Sequence, residues 1–178
     1  MLPYLFILFA FLFRFIPSHP LGFTPVAAAL LFFGARGSRR QFWIPLLLMA
    51  VSDVILTKFV YAYPFTWDHY VTFAWYAAAL WLGTNLRESA KPVRVIVAAL
   101  ASSVFFFLLS NFAVWASWPD LYPRTVAGLI TCYAVGVPYF RRAVAGDLLF
   151  TTAMFATPFV LLHLSKAFRH DGDHIAAA

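Results

Sequence analysis

Ser110–Asp147, SNFAVWASWPDLYPRTVAGLITCYAVGVPYFRRAVAGD, is the stretch whose reading sets the number of helices in this chain. Apolar runs flank it, Val93–Trp115 before and Leu148–Leu164 after, each long enough to cross a bilayer. The stretch gathers Asn111, the aromatics Trp115, Trp118 and Tyr122, three prolines, the single cysteine Cys132 and Asp147. Thr125–Tyr139 is apolar but short, and Gly128, Gly136 and Pro138 interrupt it. It reads as a thin seventh helix or as a re-entrant helix, which is tolerated when protein buries it. Arg141 and Arg142 then read as a basic loop, and Gly146-Asp147 as the start of the last span, with Asp147 an N-cap or first-turn acid.

The composition agrees with a membrane setting. Hydrophobic residues make up 63% of the chain and charged residues 11%, less than half the share of about 25% in soluble domains. A folded soluble domain of this length still exposes roughly a third of its surface, so this much apolar side chain must face lipid. The net charge of +6 comes from short clusters between apolar runs, the pattern of membrane loops. It is not a nucleic-acid signal. One cysteine makes no internal disulfide. The chain reads as one transmembrane domain over residues 1–168, with a polar, disordered tail at 169–178.

Outward from the opening stretch, Leu2–Ile16 is a short apolar segment without the basic start and cleavage site of a signal peptide, so it reads as a retained helix. Arg14 at its end is expected to snorkel to the interface. Pro17, Pro20, Gly22 and Pro25 predict a tight loop. Pro25 then starts a helix rich in small residues, Ala27–Ala29 with Gly34 and Ala35. Such a face packs against a neighbouring helix of the same chain, or less readily docks a partner subunit. Gln41–Val60 is a full span with Asp53 about twelve residues in, roughly 18 Å along the axis. An ionisable group at that depth faces a cavity or a partner such as Thr57 or a neighbouring helix. The aromatic loop Tyr61–Tyr70 holds Asp68 and His69, too few ligands for a metal site. Val71–Leu86 is the next span, and Pro92 opens the longest.

Asn111 and Trp115 stand one turn apart and share a helix face. The bland reading is an aromatic belt. The sharper one is a pocket in which rings and an amide hold a flat polar molecule. Cys132 reads as a small packing residue, with no base nearby to activate it. Strict alternation with the N-terminus inside puts eight basic residues on the inner side and five on the outer, and the same ratio results if Thr125–Tyr139 is re-entrant. In both cases the loops Pro17–Pro25, Tyr61–Tyr70 and Trp115–Arg124 share the outer face, which argues for an externally open binding site.

The segments GFTPVAAALLFFGA, AVSDVIL, SNFAVW and YPRTVAGLITCYAVGVPYFRRAVAGDLLF resemble an uncharacterised family of bacterial membrane proteins grouped with the substrate-binding S-components of energy-coupling-factor vitamin transporters. The resemblance covers about Pro17–Leu164. It implies an all-α, S-component-like bundle of six transmembrane helices plus the short or re-entrant one, in the bacterial inner membrane. It further implies capture of a vitamin-like small molecule under the outer loops, with Asp53, Asn111, Trp115, Tyr122 and Phe23 as contacts. A transmembrane coupling subunit and ATPases would come from other chains, since no Walker motif is present here. Gly22 stands where that family commonly has Asn, removing one possible contact. No cofactor is implied and the chain is not expected to be an enzyme. The alternatives are a small intramembrane enzyme using Asp53 or Cys132, or a structural membrane subunit without a ligand.

Overall fold

A computed structural model describes residues 1–16, 22–62 and 64–176, with side chains as far as Ala167. Among these residues there are six α-helices and no strands: α1 (Leu2–Phe13), α2 (Val26–Arg36), α3 (Trp43–Ile55), α4 (Asp68–Thr84), α5 (Pro92–Ser117) and α6 (Val126–Ala176). A 3-10 turn, Arg39–Gln41, leads into α3, and a π-helical turn, Leu56–Val60, extends it. Three regions are long and apolar enough to cross a membrane: Arg39–Val60, Pro92–Ser117 and Val126–Ala167. The proline-rich turn expected at Pro17–Pro25 lies partly outside the described residues, as does Tyr63 of the aromatic loop.

The expected seventh segment does not exist as a separate element. Thr125–Tyr139 and the last span form one helix, α6, with Pro138 and Pro158 inside it. Arg141 and Arg142 are exposed residues within that helix and not a loop. Proline deletes one helical hydrogen bond but need not end a helix held on both sides by its neighbour. Here the neighbour is α5, which lies antiparallel to α6. Tyr133 donates to the Leu108 carbonyl at 2.7 Å, the Cys132 thiol to the Asn111 carbonyl at 3.3 Å, and Ser103 to Asp147 at 2.6 Å. The 42 residues to Ala167 would extend about 63 Å, twice a hydrocarbon core of roughly 30 Å. The surplus is at the C-terminal end, where Phe159, Leu161, Leu162 and Leu164 are exposed. The backbone of α6 also takes in part of the polar tail, to Ala176.

The small-residue helix α2 is the centre of the bundle. Every residue from Val26 to Ala35 is buried, against α1, α4, α5 and α6. Its small face therefore packs within the chain and is not presented to a partner. The closest approach is to α4, where a Cβ on Gly34 would stand 2.1 Å from the Leu80 carbonyl oxygen and one on Gly83 would stand 2.3 Å from that of Leu31. The two glycines let backbone meet backbone. The far end of α2 is closed by Arg87, which donates from Nε to the Gly34 carbonyl at 2.8 Å and from Nη2 to that of Gly37 at 2.6 Å, with Phe42 under its guanidinium. Arg36, Arg39, Arg40, Lys91 and Arg94 gather at this same end. Edge-to-face ring pairs, Phe6 with Phe32 and Phe32 with Phe155, tie α1, α2 and α6 together.

At only 11 residues, α2 is about 16 Å long, against about 39 Å for α5. It begins near the level of Gly146, which packs on Phe23. Above its N-terminus the taller helices have no central helix to close on, and a cavity results.

Candidate functional site

That cavity has a volume of about 320 Å³. Its polar walls come from Arg14, Thr24, Asp53, Thr57, His69, Thr72, Tyr76 and Asp147; Trp75 and Phe106 supply rings. Residues of α2, α3, α4, α5 and α6 contribute, with Arg14 from the end of α1, so the site is assembled by tertiary packing and not by one motif. Gly22 forms part of the rim with φ of +87°, where a Cβ would also stand 2.9 Å from the Tyr139 carbonyl oxygen.

A four-residue network organises one wall. Arg14 turns inward from the end of α1 and pairs with Oδ1 of Asp53. It also donates to Ser52 Oγ at 2.8 Å and to the Tyr76 hydroxyl at 2.9 Å. Tyr76 in turn donates to Oδ2 of Asp53 at 2.8 Å. Snorkelling, the expectation for Arg14, is overturned: a carboxylate within reach in an apolar interior outweighs the interface, because an unpaired buried charge costs several kcal/mol. Asp53 is 8% exposed and is held by Arg14 and Tyr76, not by Thr57.

Thr57 instead meets His69, Oγ1 to Nε2 at 3.2 Å, while His69 Nδ1 lies 3.2 Å from the Thr66 carbonyl. A carbonyl only accepts, so Nδ1 donates to it, while the Thr57 hydroxyl can serve Nε2 as donor or acceptor. Phe65 stacks on the imidazole at 4.3 Å between centroids. On the opposite wall Asp147 sits mid-helix in α6, not at a helix start as its sequence context predicts. It is 6% exposed and accepts from Ser103 at 2.6 Å.

The other sequence-derived residues fall elsewhere. Asn111 donates to the Phe107 carbonyl of its own helix at 2.8 Å and packs on Gly136, where a Cβ would stand 2.4 Å from its Oδ1. It lines a smaller hollow of about 210 Å³ that adjoins the main cavity at Gly22, Phe106 and Ala143. Trp115 donates from Nε1 to the Pro123 carbonyl at 3.0 Å, bracing its own loop. Tyr122 lies in that loop; desolvation, with Cys132 and Tyr139 nearby, pushes its phenol up. Phe23 packs on Phe150 and Gly146 beside the cavity. Of the expected contacts, only Asp53 lines the main cavity. Arg14, His69, Tyr76 and Asp147 line it without having been expected as contacts. The readable signal was charge: Arg14 and Asp147 are ionisable groups adjoining apolar runs, as Asp53 is.

Among the described residues no cluster of three or more His, Cys, Asp or Glu is placed to hold a metal. A further hollow between α4 and α5, about 260 Å³, is walled by Trp75, Ala78, Trp81 and Phe105 and offers almost no polar group to orient a ligand.

The chain has no significant match among curated proteins or among solved structures. A family model does match, over residues 1–169: by that match the chain belongs to DUF6580, a family of unknown function.

Proposed function

We propose that this protein is a membrane-embedded capture protein for a small polar molecule, held above the N-terminus of α2. The observation that carries this reading is the cavity itself: about 320 Å³ at the level where α2 stops, walled by Arg14, Asp53, His69, Tyr76 and Asp147. Enclosed polar groups in an otherwise apolar bundle are costly and mark binding or transport sites. The short central helix also aims its positive N-terminal end at the cavity, as interrupted helices do in transporters.

The orientation follows from charge. With Arg141 and Arg142 inside α6, the loops at one end hold Arg36, Arg39, Arg40, Arg87, Lys91 and Arg94; Lys58 and Arg124 stand toward the other. The positive-inside rule puts the first end in the cytoplasm and the cavity toward the outside of an inner membrane, with α1, α2 and α4 crossing alongside the three long regions. The resemblance to S-components supports uptake as the process, with a coupling subunit and ATPases as partners. Burial of the small face of α2 requires such partners to dock on another surface, and α5 and α6 expose the most apolar area.

The test is a thermal-shift screen of the full chain, in mild detergent, against water-soluble metabolites of about 10 to 20 heavy atoms. A stabilising compound whose effect is lost in Thr57→Val and Tyr76→Phe supports capture. No stabilisation by any compound, with no uptake phenotype in cells lacking the protein, overturns it in favour of a structural subunit.

A further inference from the structure

We infer that the captured molecule is an organic cation bearing a protonated amine, with Asp147 as its counter-charge; this rests on the capture reading above. Among the described residues, Arg14, Asp53 and Asp147 are the Arg, Lys, Asp or Glu side chains that line the cavity. Arg14 and Asp53 cancel one another in a direct ion pair. Asp147 has no such partner: among the described residues its one hydrogen bond is from the neutral Ser103. Among the described residues Asp147 is therefore the one acid of the cavity without a cationic partner. The dipole of α2 contributes only about half a positive charge at its N-terminus, too little to offset it.

An isolated carboxylate buried at this depth is strongly disfavoured, and a bound ammonium relieves that cost where a neutral molecule does not. The remaining walls suit a cation as well. Trp75 spends its indole N–H on the Ser102 carbonyl, and Tyr76 spends its hydroxyl proton on Asp53. What these residues and Phe106 leave to the cavity is ring surface, which attracts ammonium groups. A carboxylate ligand would meet Asp147 as a like charge, with Arg14 already committed.

The experiment is titration calorimetry of the full chain in mild detergent with two matched sets: hexylamine, hexanol and hexanoate; phenethylamine, 2-phenylethanol and phenylacetate. We expect the amines to bind roughly tenfold or more tighter than the alcohols, equivalent to about 1.4 kcal/mol. The carboxylates should bind weakest. The preference should disappear in Asp147→Asn and survive in Ser103→Ala, which keeps the charge. The comparison within each set needs only the wild-type chain, so it stands even if Asp147→Asn folds poorly. An alcohol or carboxylate binding as well as the amine overturns the inference, as does a preference that persists in Asp147→Asn or the absence of amine binding. In that last case the capture reading falls too only if the metabolite screen is also blank.

Discussion

Tyr76 donates to Oδ2 of Asp53 at 2.8 Å and accepts from Arg14 at 2.9 Å, so one hydroxyl joins both members of a buried ion pair. The pair links the end of α1 to the end of α3, and Tyr76 adds α4. Because each group depends on the others, the double substitution should cost less than either single one. Arg14→Leu or Asp53→Leu leaves a buried charge alone and should cost about 3–5 kcal/mol, whereas the double variant should recover most of that. Thermal unfolding in detergent of the four proteins in the cycle measures it. Additive losses would show that the pair is not coupled.

Tyr76→Phe removes the shared hydroxyl and little volume. The expected loss is about 1–3 kcal/mol, since Asp53 and Arg14 each lose a buried partner. The same unfolding measurement checks it, with Tyr70→Phe, on an exposed residue, as the unaffected control.

The α2–α4 crossing makes a third prediction about stability. A Cβ at Gly34 or Gly83 collides with backbone carbonyls, which cannot turn aside as side chains do. Gly34→Ala and Gly83→Ala should each lower stability by at least the roughly 1–3 kcal/mol typical of overpacking. Gly128→Ala, in the first turn of α6, tests a different contact, with the Pro123 carbonyl, and should leave the α2–α4 crossing intact.

Arg87 closes α2 with two hydrogen bonds from one planar group. Lysine keeps the charge but not the fork, so Arg87→Lys should behave more like Arg87→Ala than like wild type, losing about 1–2 kcal/mol. Hydrogen exchange at the last turn of α2 is the local readout; unchanged protection there would contradict the capping role.

The sequence made some of this legible and hid the rest for physical reasons. Asp53 stood out because an acid deep in a clean apolar span has few explanations. Arg14 did not, because at the end of a short apolar run snorkelling costs less than burial unless an acid waits inside, and its acid is 39 residues away. Asp147 was masked by its neighbours: Gly136, Pro138 and the Arg141–Arg142 pair all read as breaks, so it looked like a helix start. Packing against α5 overrides those local signals and carries α6 through them. Asn111 and Trp115 do lie one turn apart, but helix geometry alone does not say that the amide bonds its own backbone and the indole its own loop. The small-residue stretch of α2 was read correctly as a packing surface, because alanine and glycine at that density serve close approach wherever the helix lies.

Native mass spectrometry of the gently purified full chain tests the central claim most directly, comparing wild type with His69→Ala. His69 lines the cavity and is oriented by Thr57 and Thr66, so its loss should empty the site without unfolding the bundle. A reproducible small bound mass on the wild type, absent from the variant, is the predicted result. A wild-type spectrum showing only the bare protein mass, or a bound mass that His69→Ala retains in full, would contradict the account.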